Sequence, residues 1–202
     1  MSARENILAA VRANRPLGDH PLPELPIFPF EAGEGLVASF LRNLEAMGGH
    51  GIEGQSIDAF LQEQFPQAKV IASAVPEYRG NRDLMGGAAP RDLADVDITI
   101  VRASFGVAET GSVLLPDTAL VTNAAAYLAQ HLVVLLAPAA IVPTLQEAYR
   151  RPEFHEHRYA SFHTGPSATA DIGGVLIHGA QGVRSLTVLL LDCPPSAPMA
   201  QI

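Results

Sequence analysis

Apolar positions in the first third of the chain recur at the spacing of amphipathic helices. Between residues 36 and 47 they fall on one helical face, and this stretch ends at a pair of glycines. A second helix is predicted to begin at Ile57, with Ser56 as its N-cap. Residues 69–74 form a short apolar run that suits a buried strand.

Residues 1–32 differ from the rest of the chain. Helical spacing of apolar residues predicts a short helix over Ala3–Ala13. Five prolines follow between residues 16 and 29, and because each restricts its own φ and the residue before it, an extended arm is predicted. We expect the apolar residues of this arm to lie against the body or against a neighbouring subunit, which would make the chain a homo-oligomer. Residues 33–202 are predicted to form one domain.

Strand-like runs dominate the remaining sequence. Residues 96–100 alternate apolar and polar side chains, which predicts a strand with one wetter face. His131–Ala137 is a strongly apolar strand candidate, and Ile141–Tyr149, opening at Pro143, is predicted to be the helix that follows it. Further strands are predicted at Val113–Leu115, Gly174–Ile177 and Ser185–Leu191. This alternation of strands and helices predicts a three-layer α/β/α sandwich.

The composition narrows the classes of function. The formal net charge is −8 and Lys69 is the one lysine of the chain, so the basic face that nucleic-acid binding needs is missing. A small anionic ligand is still compatible with this charge, since backbone N–H groups and one or two arginines can hold it. Apolar residues make up 48% and aromatic residues 6%, which predicts a core of Ala, Val, Ile and Leu between helical layers.

The cysteine count and the length of the apolar runs exclude further kinds of site and segment. Cys193 is the single cysteine, so a disulfide framework, an iron–sulfur cluster held by this chain alone and a CxxC zinc site are excluded by count. The first residues lack an apolar run of signal-peptide length. The longest apolar stretch, Leu132–Val142, is interrupted by Pro138 and is too short for a membrane span of about 20 residues. We therefore expect a cytoplasmic protein without a membrane span.

The segment from Ser104 to Ser112 holds the first residues that could do chemistry. Glu109, Thr110, Gly111 and Ser112 stand in sequence between two apolar strands. Gly111 lets the backbone approach a ligand closely or adopt φ > 0, and successive N–H groups there could form an anion-binding nest. Glu109 could act as a base, as a nucleophile or as a ligand for a substrate hydroxyl. The alternative is a hairpin-like turn with a solvated glutamate.

A second candidate loop runs from Thr164 to Asp171. Thr164 and Gly165 break the preceding strand, and Ser167 or Thr169 can cap a short helical turn. The N-terminus of such a turn would offer free N–H groups to a phosphate or carboxylate. Asp171 would follow about one turn later and could bind a hydroxyl or hold the loop. The alternative is a capped turn without a ligand.

A third glycine-marked segment ends at Arg184. Gly179 and Gly182 lie between two strands and again favour close backbone approach. Arg184 could hold a carboxylate in a bidentate fork, or it could be a surface arginine paired with an acidic residue. A metal site at His155, His157 and His163 is the remaining option, but charged neighbours indicate an exposed polar segment, so no metal site is predicted.

Two of these segments, in this order, resemble the lactate-utilisation protein C group (LutC/YkgG-like) of the LUD-domain family. The residues that carry the resemblance are Ser104–Leu115, with its Ala-Glu-Thr-Gly core, and Thr164–Leu191. The similarity spans the chain from the N-terminal helix to the last strand. Two separated motifs in the right order are much more specific than either motif alone.

The resemblance implies a fold similar to the NagB/RpiA/CoA-transferase group, with a mixed sheet between helical layers. It also implies a role in oxidising L-lactate to pyruvate beside two partner proteins that carry iron–sulfur clusters, so that this chain alone binds no cofactor. In the related transferases a carboxylate occupies an exposed loop before a strand, and Glu109 stands at a comparable position. The chain departs from the family at Gly173, where Glu is common, and at Gln181, where His is common. Gln cannot act as an acid or base, so the expected role of Gln181 is ligand binding.

Three hypotheses of function follow. The first is a subunit of a lactate-oxidising system that binds a small anionic ligand at Glu109–Ser112, Thr164–Asp171 and Gly179–Arg184. The second is a non-catalytic assembly or regulatory module of that system, which docks partners through the N-terminal arm. The third is a stand-alone enzyme of the CoA or sugar-phosphate type with a covalent intermediate at Glu109.

Overall fold

A parallel sheet of five strands runs through the centre of the molecule, and shorter strands form two smaller sheets. The structure is a computed structural model that describes residues 2–16, 18–21, 23–84, 89–171 and 173–192. In chain order the described strands are β1 (His50–Glu53), β2 (Ile71–Ser73), β3 (Ile98–Arg102), β4 (Gly106–Val107), β5 (Ser112–Pro116), β6 (His131–Leu136), β7 (Ile141–Val142), β8 (Ala160–His163), β9 (Ala168–Thr169), β10 (Ile177–His178) and β11 (Ser185–Leu190). The described α-helices are α1 (Ala3–Ala13), α2 (Leu36–Ala46), α3 (Ile57–Gln64), α4 (Asp117–Leu120), α5 (Ala125–Leu128), α6 (Leu145–Ala148) and α7 (Pro152–His155).

The central sheet has the strand order β1-β11-β6-β3-β2, and each neighbouring pair runs parallel. Parallel sheets are usually covered on both faces, and the predicted wetter face at residues 96–100 is accordingly wrong. Thr99 is buried in β3, with 1% of its surface exposed. Asp97 precedes the strand, and its carboxylate accepts hydrogen bonds from the backbone N–H groups of Lys69 and Val70 at 2.7 and 2.9 Å.

Helices cover the two faces of this sheet. On one face, Ile57, Phe60 and Leu61 of α3 pack in a cluster with apolar residues of β3, β6 and β11. On the other face, Phe40 and Leu44 of α2 pack with residues of the same three strands and of β5. The α/β/α class predicted from the alternation of elements is therefore confirmed.

The resemblance implied a mixed sheet between helical layers; the described central sheet is parallel throughout, and mixed pairing occurs in a second, four-stranded sheet. Its order is β7-β4-β5-β8, in which β4 and β7 run parallel while β5 runs antiparallel to both β4 and β8. Strands β4 and β5 form a hairpin, with Val107 opposite Ser112. A separate antiparallel pair joins β9 to β10. The turn at 108–111 joins β4 to β5, the loop after Thr164 leads from β8 to β9, and residues 179–184 lead from β10 to β11 of the central sheet.

Two predicted elements differ from the structure. The helix predicted over Ile141–Tyr149 is wrong at its start, because Ile141 and Val142 form β7 and pair with β4. The helix that follows is α6, a single turn with Thr144 as N-cap, whose hydroxyl accepts a hydrogen bond from the N–H of Glu147. The strand predicted at Gly174–Ile177 is confined to Ile177–His178, since Gly174 lies in a turn with φ +70°.

The N-terminal arm is tied to the body at α6. The side-chain amide of Gln146 accepts a hydrogen bond from the Phe28 N–H at 3.1 Å and donates one to the Pro26 carbonyl at 3.2 Å. Helix α1 has the predicted bounds and begins with a capping box formed by Ser2 and Glu5, but none of its residues is buried. Leu22 of the arm and Cys193 lie outside the described residues. No helix among the described residues is both long and apolar enough to cross a membrane.

Candidate functional site

The turn that joins β4 to β5 lies directly on helix α2. Asn43 of α2 donates hydrogen bonds from its side-chain amide to the carbonyls of Ala108 and Glu109 at 2.7 and 3.1 Å. Gly111, with φ +66°, packs so close to α2 that a Cβ there would stand 2.5 Å from the Cα of Leu44. Gly111 was predicted to let the backbone approach a ligand, but the backbone approaches helix α2 instead. The space beside Gly111 is filled by this helix.

Glu109 is held by the segment that leads into α6. Its backbone N–H donates to the Pro143 carbonyl at 3.0 Å. Its carboxylate oxygen Oε2 accepts a hydrogen bond from the Leu145 N–H, at the start of α6, at 2.9 Å. The side chain is exposed, as the hairpin alternative supposed, but it is anchored by this bond. Its position is therefore defined by the fold.

Three side-chain hydroxyls form a chain next to this turn. Thr110 Oγ1 and Ser112 Oγ lie 2.7 Å apart, and Ser112 Oγ is also hydrogen-bonded to Thr164 Oγ1. Ser112 and Thr164 meet because β5 and β8 run antiparallel and Val113 pairs with His163, so that the residue before Val113 lies beside the residue after His163. Two bonds among three hydroxyls use two of the three hydrogens, so one hydrogen can still be donated to a ligand.

These groups line a cleft of about 450 Å³ at the carboxyl end of α2. Of the described residues that line it, Glu109 is the one that carries a charge, and the hydroxyls and Asn43 supply the remaining polarity. Met47 and Ala46 form an apolar side. The described residues that line the cleft are Asn43, Ala46, Met47, Glu109, Thr110, Ser112 and Thr164.

The second candidate loop departs from its prediction after Thr164. Gly165, with φ +68°, packs on the end of α2, where a Cβ would stand 3.0 Å from the carbonyl carbon of Met47. The helical turn predicted at Ser167 or Thr169 is wrong, because Ala168–Thr169 is strand β9. The N–H of Ser167 donates to the Val183 carbonyl at 2.9 Å. The described residues of this loop therefore offer no helix N-terminus to an anion.

The remaining predicted residues lie away from the cleft. Asp171 and Gln181 are exposed, and Thr169 is half-buried in the β9–β10 pair. Gly182 packs on Ser167, whose Cβ would be 3.0 Å from a Cβ added at Gly182. Arg184 lines a different cleft, so the prediction that it joins Glu109 in one site is wrong.

The three histidines considered as metal ligands each have different hydrogen-bond or ion-pair partners. His155 bonds the Tyr149 carbonyl at 2.7 Å, and His157 lies 3.5 Å from the Asp117 carboxylate. His163 is hydrogen-bonded to Ser161 at 2.9 Å, and burial lowers the pKa of its imidazole below the ordinary value. Within the described ranges, no group of three or more His, Cys, Asp or Glu side chains could hold a metal ion.

Asn43 and Met47 are the site residues that sequence reasoning missed. Both belong to the helix predicted over residues 36–47, and Met47 was assigned to its apolar face. The spacing of apolar residues shows which face of a helix is buried, but it does not show which distant loop that face meets. Nothing in the sequence around Asn43 marked it as a residue of the site.

Comparison with known proteins gives the family. A model of the LUD domain matches residues 81–191, which covers more than half of the chain and contains Glu109, Ser112, Thr164 and Arg184. The chain belongs to the LUD-domain family. No curated protein matches this LUD-domain chain significantly.

A solved structure is similar to the fold of this LUD-domain protein. It is the crystal structure of a DUF162 family protein from Deinococcus radiodurans at 1.70 Å resolution. The TM-score is 0.61 at 15% sequence identity, and the match covers 80% of this chain and 99% of the other. At this identity the likeness shows the fold alone, and it agrees with the predicted α/β/α sandwich. Membership in the family supports a general role in lactate utilisation.

Proposed function

We propose that this chain is a subunit of an L-lactate utilisation system of the lactate-utilisation protein C type, and that it works with iron–sulfur partner proteins in the oxidation of lactate to pyruvate. Its membership in the LUD-domain family supports the general role. The iron–sulfur partners are implied by the resemblance to the lactate-utilisation protein C group. The cysteine count fits this division, because a chain whose one cysteine is Cys193 cannot supply the four thiolates that a cluster usually takes. Electron transfer would then take place in the partners.

The hydroxyl chain Thr110–Ser112–Thr164 beside Glu109 is the observation that carries the ligand proposal. A 2-hydroxy acid has a hydroxyl that can donate a hydrogen bond and a carboxylate that can accept one. The Glu109 carboxylate is an acceptor for the ligand hydroxyl, and the spare hydrogen of the hydroxyl chain is a donor for the ligand carboxylate. Both complementary groups therefore stand in one cleft.

The charge of the cleft limits how such an anion would bind. Glu109 repels a carboxylate, and Arg184 lies in another cleft, so no described cation in this cleft offsets that repulsion. The ligand carboxylate would therefore lie toward the hydroxyls of Ser112 and Thr164, away from Glu109. The same absence of a described cation disfavours the stand-alone enzyme, since CoA and sugar phosphates carry phosphate groups that need positive charge or free N–H groups.

Growth on L-lactate tests this proposal. A strain that lacks the gene is complemented with the wild type, Glu109→Ala, Ser112→Ala or the control Glu45→Ala, which changes an exposed glutamate of α2 that does not line the cleft. We expect both cleft variants to lose growth on lactate, while growth on pyruvate and the circular dichroism of the purified proteins stay unchanged. Glu109→Gln, whose amide oxygen can keep the bond to the Leu145 N–H, should also grow more slowly because the charge is lost. Normal growth of both alanine variants would contradict the site assignment.

A second function, the assembly module, is favoured by one observation. The arm exposes large apolar side chains, with 67% of Leu25 and 63% of Phe28 accessible to solvent. An exposed apolar segment of this kind is typical of a docking surface. If the chain is an assembly module, the Glu109 and Ser112 variants grow normally, whereas Leu25→Ser with Phe28→Ser abolishes co-purification of iron–sulfur proteins and growth on lactate.

A further inference from the structure

A second cleft, of about 330 Å³, lies at the opposite end of the central sheet from the carboxyl ends of its strands. Its walls come from the residues that begin β6 and β11 and from the turn that follows α3. It contains Arg184, which the first cleft lacks. Phe65, Asp97, Gln130, His131 and Arg184 are among the residues that line this cleft.

Arg184 is positioned by the glycine loop before it. A Cβ on Gly179 would stand 2.5 Å from Cγ of Arg184, so the aliphatic stem of the arginine lies over the glycine backbone. The Arg184 N–H donates to the Gln130 carbonyl at 2.7 Å, which fixes the backbone at the mouth of the cleft. The guanidinium is exposed and forms no ion pair with any residue that the structure describes.

Several other arginines of the domain form ion pairs within the fold. Arg82 pairs with Asp95, Arg102 with Glu77, and Arg151 with Glu153. In each pair a carboxylate of the same chain balances the charge of the guanidinium. Arg184 is left with its charge beside a cleft, although the chain has 21 acidic residues against 13 basic ones.

The rings of His131 and Phe65 lie next to each other in the lining of the cleft. Their ring centroids are 4.4 Å apart with a tilt of 39°. His131 Nδ1 is hydrogen-bonded to Ser185 Oγ at 2.8 Å, so Nε2 is the ring nitrogen left for a ligand. The Asp97 carboxylate, the acidic group of the cleft, is engaged by the N–H groups of Lys69 and Val70, which spreads its negative charge.

We propose that this cleft is a second ligand site, which takes a small anion whose carboxylate or phosphate group pairs with Arg184 and whose body rests on the Phe65 and His131 rings. The site is separate from the hydroxyl-lined cleft and does not depend on its function. Arginine suits both groups, because its planar fork of N–H donors matches the oxygens of a carboxylate or a phosphate.

The imidazole of His131 reports binding directly. Burial and the positive charge of Arg184 lower the pKa of His131, and Asp97 acts in the opposite direction. An anion on Arg184 offsets the positive charge, so protonation of His131 becomes easier and its pKa must rise on binding. The Hε1 proton resonance of the full-length chain, followed from pH 5 to 8 by NMR, measures this change.

The titration is carried out with inorganic phosphate and, separately, with pyruvate. We expect at least one of them to raise the His131 pKa in the wild type, and the one that does so identifies the group that the site prefers. Arg184→Gln should weaken binding about tenfold or more, whereas Arg184→Lys, which keeps the charge, should weaken it less. In the matched controls Arg158→Gln, at another exposed arginine, and Ser112→Ala, in the first cleft, the anion should shift the His131 titration as it does in the wild type.

Three results would overturn the proposal. The first is that neither anion changes the His131 titration at tens of millimolar. The second is that Arg184→Gln, shown to be folded by its amide spectrum, binds as tightly as the wild type. The third is that Ser112→Ala abolishes the effect, which would assign binding to the first cleft.

Discussion

Gly111 and Leu44 are in backbone contact, and a Cβ on Gly111 would stand 2.5 Å from the Leu44 Cα. This contact joins the Glu109 turn to helix α2. Gly111→Ala would introduce a clash with backbone that cannot move aside and would also strain a residue at φ +66°. We expect a loss of about 3 kcal/mol or more in the free energy of unfolding by urea.

Gly54→Ala is the matched control for this variant. Gly54 has a similar φ of +70°, but a Cβ there meets no atom within 4 Å. It should therefore cost only the backbone strain, about 1–2 kcal/mol. Equal losses for the two variants would show that the contact with α2 does not contribute.

Asn43 is expected to hold the Glu109 turn in place. Asn43→Ala removes the amide that bonds the carbonyls of Ala108 and Glu109, and it leaves the partly buried Ala108 carbonyl without this donor. We expect a loss of about 1–3 kcal/mol in urea unfolding and slower growth on lactate. Arg42→Ala removes only an exposed ion pair with Glu34 on the same helix and should change the stability by about 0.5 kcal/mol or less. A loss in Asn43→Ala no larger than that in Arg42→Ala would contradict this role.

His163 is predicted to make the protein less stable in mild acid. Burial lowers the pKa of the folded-state imidazole below 6.5, so protonation favours the unfolded chain. The stability that neutral His163 contributes is complete above pH 6.5 and is lost as the pH falls toward the folded-state pKa. The slope for one proton is at most about 1.4 kcal/mol per pH unit.

His163→Gln should keep a hydrogen bond to Ser161 and remove this titration. Urea unfolding at pH 7.5, 6.5 and 5.5 should therefore show a flatter dependence on pH in the variant. A residual slope is expected from His131, whose pKa is also lowered. An unchanged slope would show that His163 is not the titrating group.

Gln146 is expected to control the N-terminal arm. Gln146→Ala removes both hydrogen bonds between this side chain and the arm, at Phe28 and Pro26. We expect faster hydrogen exchange of the Phe28 N–H and faster proteolysis between residues 23 and 30, with global stability nearly unchanged. Gln62→Ala, at an exposed position of α3, serves as the control. Equal protection of Phe28 in the two variants would argue that other contacts hold the arm.

Local patterns of apolar and polar residues were sufficient to predict the longer helices and strands of this fold. Helices α2 and α3 have apolar residues at helical spacing, and strands β3, β6 and β11 are rich in apolar residues, so the positions of these elements follow from nearby residues. Patterns failed where pairing with a distant strand decides the conformation. Ile141 and Val142 were predicted to be helical, but they form β7 because β4 offers them backbone partners.

The order of the glycine-marked motifs along the chain was enough to predict the family and to single out its unusual loops, because this order can be read directly from the sequence. The tertiary structure decided what those residues do. Gly111 and Gly165 approach α2, and Glu109 is anchored on Leu145. Arg184 belongs to a cleft other than that of Glu109. The physical reason is that a residue's partners across the fold depend on how helices and sheets pack, and spacing along the chain does not contain that information.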